Sequence, residues 1–186
     1  MSPRASAPLA LEYVLLGLLN ERPMHGYDLF QQVRSTRGIA LVWNIKQSLL
    51  YAMLDKLEES GLLISELIAG EGYPPRKVFR LTPDGQAAYQ KWITDPVMHA
   101  REMRQEFLAK LIFARRYGTQ PALGLVQMQQ QVCQNWLDGL KAGSHALEKN
   151  NIDEQLVFSY RINQLEGMLA WLKACETELR LESPAR

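Results

Sequence analysis

At 186 residues, with 47% hydrophobic and 22% charged side chains, the chain is sized for one domain or two small ones with an ordinary core. The net charge is +1, spread evenly over both halves, so any case for nucleic acid rests on local placement and not on overall field. Two distant cysteines, Cys133 and Cys175, and three scattered histidines form no metal-ligand spacing; no metal or cofactor is expected, and a reducing, cytoplasmic compartment is the simple inference.

Residues 1–8 are Ser/Pro/Ala-rich and expected to be loose. Leu9–Leu19 reads as a strongly apolar helix. With Arg4 before it, it imitates a secretion signal, but Glu12 interrupts the run and Glu21-Arg22-Pro23 stands where small residues would be cleaved. No apolar run is long enough to span a membrane. A second helix is expected over Tyr27–Thr36, closed by Gly38, with His25 as a turn residue and Tyr27 as a core aromatic.

Trp43–Ser60 reads as a third helix, anchored by Trp43 and ended by Gly61 in the left-handed region. Leu50, Met53, Leu54 and Leu57 make its apolar face; Asn44, Ser48, Tyr51 and Asp55 fall on the opposite arc. Alone, such a pattern is an ordinary amphipathic helix. Its neighbours give it more meaning. Leu62–Ile68 alternates as a strand, Ala69–Pro75 is a Gly/Pro turn, and Arg76–Leu81 returns as a basic strand. Thr82-Pro83 then caps a fourth helix that ends near Pro96.

This order is that of a winged helix-turn-helix, whose third helix enters the major groove while the hairpin reaches the backbone. The second half is helical: His99–Tyr117, then Thr119 to about Lys149, then Ile152 to Leu181 after a break at Asn150-Asn151. The fold expected is mainly α, a winged domain over 9–94 followed by an all-helical domain over 97–182. In the last helix Phe158, Ile162, Leu165, Leu169, Leu172 and Leu179 keep a rhythm close to a heptad seam. At about 45 Å long it overruns a small domain, so a two-fold dimer seam is expected, with packing inside the chain as the alternative.

Residues 9–94 resemble the winged-helix domain of PadR-type transcriptional regulators. The motifs are Met24-His25-Gly26-Tyr27, Leu50-Tyr51-Ala52-Met53-Leu54-Asp55-Lys56-Leu57-Glu58-Glu59-Ser60-Gly61, and Pro74-Pro75-Arg76-Lys77-Val78-Phe79-Arg80-Leu81-Thr82-Pro83-Asp84-Gly85. The helical half, with Phe107-Leu108-Ala109-Lys110-Leu111, resembles the longer branch of that family, which has a virulence-activator-like C-terminal domain. The resemblance implies a homodimeric repressor on a palindromic double-stranded DNA operator, released by a small aromatic, phenolic or drug-like effector. Leu49 departs from the pattern: members often carry a small or polar residue there, which leaves Ser48 as the nearest hydroxyl.

The candidate DNA contacts are Asn44, Lys46, Gln47 and Ser48 at the N-terminal end of the third helix, Tyr51 one turn on, and Arg76 and Lys77 on the wing. Against these roles stand a tyrosine packed on the first helix, a solvated lysine and a solvated strand end. Candidate effector residues are Trp136, Phe158, Tyr160, Met168 and Trp171, whose alternative role is core and dimer packing. No nucleophile elbow, phosphate loop or metal cluster argues for an enzyme. The competing reading is a winged-helix module that binds protein and not DNA.

Overall fold

The computed structural model describes residues 9–70, 73–145 and 151–182. Ala10–Glu21 forms α1, Met24–His25 a short strand β1, Gly26–Ser35 α2, Arg37–Val42 α3 and Gln47–Glu59 α4. Leu63–Gly70 and Tyr73–Leu81 form β2 and β3, and Pro83–Thr94 forms α5. Beyond it lie a 3-10 turn at Ala100–Arg104, α6 (Glu106–Arg116), α7 (Thr119–His145) and α8 (Ile152–Glu182). The wing tip Glu71-Gly72, the N-terminal residues 1–8 and the expected end of α7 near Lys149, with Leu147 and Asn150, lie outside the described residues. The chain divides into two compact units. One holds residues up to Thr94 together with Leu108–Phe113; the other holds Asp95–Phe107 and the chain from Ala114 on. Leu108–Phe113, assigned from sequence to the second domain, therefore packs with the first unit.

In the first unit α1 is buried on nearly every side, through Leu11, Val14, Leu15, Leu16, Leu18 and Leu19. Gly17 permits this: a Cβ there would lie 2.7 Å from Phe113 Cε1 and 2.9 Å from Tyr89 Cε2. Tyr89, Trp92 and Phe113 form an aromatic cluster around it, with the Lys110 ammonium 5.3 Å over the Trp92 ring. The sheet order is β1-β3-β2, all antiparallel. Met24 opposes Phe79 and His25 opposes Val78, a pairing too short to leave an alternating pattern in the sequence.

α4 packs on this core through Leu50, Met53, Leu54 and Leu57, all buried. Its end has the expected left-handed residue. Gly61 sits at φ +75°, while Gly61 N–H bonds to Glu58 O and Leu62 N–H to Leu57 O, closing a Schellman motif. The Thr82 hydroxyl then accepts from Gly85 N–H at 3.0 Å and donates to Gly61 O at 2.7 Å, joining the start of α5 to the end of α4.

Four expectations need correction here. The third long helix begins at Gln47, not Trp43: Ile45 is drawn into the core and holds Trp43–Lys46 out of helical geometry. Gly38 does not close α2 but lies inside α3, where a Cβ would come 2.7 Å from Ile112 Cδ1. Tyr27 is not core, being 56% exposed at the start of α2. His99–Tyr117 is not one helix, because Gln105 at φ −132° and ψ −59° separates the 3-10 turn from α6.

In the second unit α7 and α8 run antiparallel, as the pairs Gln127–Glu176, Lys141–Glu166 and Gly143–Phe158 require. Buried Gln129 fixes the preceding segment to α7, accepting Val97 N–H at 2.8 Å and donating to Val97 O at 3.2 Å. The stripe Leu165, Leu169, Leu172 and Leu179 is buried within the single chain. The near-heptad rhythm of α8 is therefore an intrachain seam, not an open dimer seam. A carboxylate reinforces it: Glu176 accepts from Arg180 first, then from Gln127 and Gln130, which hold its pKa down to about 2.

Candidate nucleic-acid interface

The N-terminus of α4 is presented bare. Lys46 takes the N-cap position with extended backbone and makes no side-chain cap, leaving first-turn N–H groups open to an anion. Asn44, Lys46, Gln47 and Ser48 are all exposed around it. Along the helix the exposed arc continues through Ala52, Asp55 and Glu59, with Leu49 on one flank and Tyr51 on the other. Leu49 is 46% exposed, an apolar side chain beside Ser48 suited to a thymine methyl group. The carboxylates of Asp55 and Glu59 repel phosphate, so only the first two turns of α4 suit a groove.

Tyr51 faces the wing. It shares an open concavity of about 550 Å³ with His25, Gly26, Tyr27, Asp28, Arg76 and Lys77. Three expected contacts, Tyr51, Arg76 and Lys77, are thus brought together there. Asn44, Lys46, Gln47 and Ser48 are not part of it and lie at the N-terminal end of the helix. His25 and Tyr27 join the site, which their sequence assignment as turn and core residues missed. No sequence pattern announced this: the two-residue β1 pairs His25 with Val78 and puts its Nδ1 3.3 Å from Lys77 O, which brings the start of α2 alongside the wing.

Lys77 is also a strut. Its ammonium lies 2.8 Å from Glu58 Oε2 on α4, and the Ser65 hydroxyl donates to the other oxygen of Glu58. These bonds, Lys77 first and then Ser65, hold the Glu58 carboxyl below its ordinary value; Glu58 in turn raises Lys77. The nearby Arg80 pairs with Glu66 across the wing. The angle of α4 is fixed at its far side by a second ion pair: Lys56 Nζ is 2.8 Å from Oε1 of Glu12, a carboxylate that is 1% exposed and also accepts Leu9 N–H.

The five aromatic and soft residues of the helical half do not converge. Trp136 is half-buried and lines a cavity in its unit. Phe158 lies against Gly143, Trp171 packs edge-on against Phe107, Met168 is half-buried, and Tyr160 is 69% exposed. Among the described residues no His/Cys/Asp/Glu group could hold a metal ion, and no helix is long and apolar enough to cross a membrane.

The chain is similar to known proteins in both halves. Residues 15–91 match the transcriptional regulator PadR-like family, and residues 103–180 match the family described as virulence activator alpha C-term. A relative, the negative transcriptional regulator PadR of Bacillus subtilis (strain 168), is 23% identical over 173 residues, covering 88% of this chain and 94% of its own. Among solved structures, Bacillus subtilis PadR in complex with operator DNA is 21% identical, covers 92% of this chain and 99% of that one, and has a TM-score of 0.44. The same protein in complex with p-coumaric acid is 21% identical, covers 92% and 99%, and has a TM-score of 0.43. A transcriptional regulator from Clostridium thermocellum is 27% identical over 44% of this chain and 74% of its own, with a TM-score of 0.38.

Proposed function

The chain belongs to the PadR-like family of transcriptional regulators, with a virulence-activator-type C-terminal region, and from that premise we propose that it represses transcription as a homodimer on a palindromic operator and is released by a small aromatic effector. The observation that carries the DNA part is the bare N-terminus of α4, ringed by Asn44, Lys46, Gln47 and Ser48, with Tyr51 turned toward Arg76 and Lys77. Phosphates meet the helix N-terminus and the wing, and base edges meet Ser48, Leu49 and Gln47. The sign of regulation follows the name of the Bacillus subtilis relative, a negative regulator. The dimer reading rests on α8, whose face opposite the buried stripe exposes Ile152, Leu156, Tyr160, Trp171 and Leu181. Of these, Tyr160 and Trp171, expected from sequence to bind an effector or pack as core, are better used in part as partner surface.

A second reading has one observation in its favour. The wing exposes Ile64, Leu67 and Ile68, an apolar surface that would suit a protein partner. Selection of bound duplexes from a random pool separates the two, followed by affinity measurement at several salt concentrations. A regulator enriches an inverted repeat with half-sites about 34 Å, or a multiple, apart and weakens with salt at a slope near −0.9 per phosphate contacted. No enrichment and a flat salt response would favour the protein-binding module.

A further inference from the structure

We propose that an open concavity on the helical unit, walled by Trp136, Leu140 and Leu165 and bearing Arg101 and Arg161, binds an organic carboxylate with an apolar body. The proposal rests on the effector part of the function given above and moves its site: of the five residues named from sequence, Trp136 alone lines this cavity. The cavity has a volume of about 440 Å³, within the range of small-molecule sites. α7 supplies Trp136, Gly139 and Leu140, α8 supplies Arg161, Gln164 and Leu165, and the 3-10 turn supplies Arg101.

Charge decides the ligand class. No Asp or Glu lines the cavity. Elsewhere in this unit Arg115 is neutralised by Glu182, Arg180 by Glu176 and Lys141 by Glu166. Arg101 and Arg161 have no such partner among the described residues. His99, which also lines the cavity, is already committed, its Nδ1 lying 2.8 Å from Glu102. Two uncommitted guanidiniums at the edge of an indole and leucine wall match a planar anion joined to an apolar group. Guanidinium binds carboxylate through paired N–H donors, and the Trp136 ring takes the apolar part. Both arginines are exposed, so a cationic ligand would be repelled by their charge and a neutral one would gain nothing from it.

Gly139 supplies the steric control. It lines the α7 side of the concavity, and a Cβ there would meet nothing within 4 Å, so a side chain can be added at this wall without a clash at Cβ. Calorimetric titration of the full-length protein with 3-phenylpropanoate and octanoate, and with 3-phenylpropanamide, octanamide and acetate, distinguishes the classes. The expected result is saturable binding of one carboxylate per chain, preference between the two acids reporting an aromatic or aliphatic body. The amides should bind at least about tenfold more weakly, as should the acids to Arg101→Gln and Arg161→Gln. Gly139→Leu should abolish binding with the circular dichroism spectrum and melting curve unchanged. Equal binding of acids and amides, binding that survives Gly139→Leu, or no binding by either acid overturns the site. Carboxylate binding without operator release would uphold the site and remove the effector reading. Release by other compounds that ignore Arg161→Gln and Gly139→Leu would do the reverse.

Discussion

The Lys77 ammonium on β3 and the Glu58 carboxylate on α4 lie 2.8 Å apart, so the wing and the proposed recognition helix are held in one geometry by a charge pair. Both side chains are partly exposed, at 45% and 31%, and solvent screening limits the pair to roughly 0.5 kcal/mol. Its pH window follows from the two shifts. Glu58 is lowered from 4.5, so its contribution is present above that value and is lost as pH falls through the lower folded pKa. Lys77 is raised from 10.5, so its contribution is present below that value and is lost as pH rises through the higher one. Urea unfolding of the wild type and Glu58→Gln should differ by this amount near neutrality and converge in acid; a constant difference down to pH ~3 would refute the pair.

The same pair limits what Lys77 can give to DNA. Lys77 carries a charge already balanced by Glu58, so Lys77→Ala should reduce the salt slope of operator binding by less than the ~0.9 of a full phosphate contact. Arg76→Ala should weaken all sequences alike. Glu58→Gln frees the lysine and should steepen the slope. A loss of about 0.9 or more for Lys77→Ala would show that Lys77 serves DNA despite its partner.

Tyr51 depends on a glycine in another helix. A Cβ on Gly26 would lie 2.7 Å from Tyr51 Cε1 and 3.0 Å from its hydroxyl, so Gly26→Ala must turn the phenol away. Gly26→Ala should therefore lose operator affinity much as Tyr51→Ala does, and the double variant should add little to either. Additive losses, or a fall in helical circular dichroism, would mean that Gly26 acts on the fold and not on the tyrosine.

What the sequence disclosed, and what it hid, divides along physical lines. Leu50, Met53, Leu54 and Leu57 were legible as the core face of α4 because burial against one surface imposes a helical period. Gly61 and Thr82 were legible because caps demand particular side chains. The start of α4 was not, since Trp43–Lys46 contains no breaker and its geometry comes from burying Ile45. Nor was the tie of Lys77 to Glu58, a contact set by the register of the hairpin and not by spacing. The stripe of α8 could be read as periodic, but a period does not say whether the surface it meets belongs to the same chain. Arg101, Trp136 and Arg161 come from three separated segments, and only the α7–α8 pairing gathers them around one cavity.

Glu12 links two elements through one buried carboxylate. It accepts Leu9 N–H at 2.8 Å at the start of α1 and pairs with Lys56 of α4. Removing it exposes both to loss, although Lys56 is 43% exposed and can resolvate. Glu12→Ala should therefore cost about 2 kcal/mol, below the full cost of orphaning a buried charge, and Glu12→Gln about half of that. Urea denaturation measures both; Glu12→Ala within roughly 0.5 kcal/mol of wild type would mean the pair is structurally idle.

α8 separates assembly from folding, because its two faces can be changed independently. Leu165 and Leu169, 3% and 8% exposed, belong to the seam inside the chain, and aspartate at either should unfold the helical unit. Leu156 and Tyr160, 62% and 69% exposed, lie one turn apart on the opposite face. They continue through Gly167, where a Cβ would meet nothing within 4 Å, toward Trp171. A helix apolar on both faces is stable in water when a second surface covers the outer one, and a two-fold copy of the same helix does this with a self-complementary patch. Leu156→Glu with Tyr160→Glu should give a monomer by light scattering, with circular dichroism and melting close to wild type. That monomer should bind a single half-site far more weakly than the dimer binds the full operator, since the second contact loses its effective concentration. A wild type that is monomeric at micromolar concentration, or a double variant that stays dimeric, would place the assembly surface elsewhere.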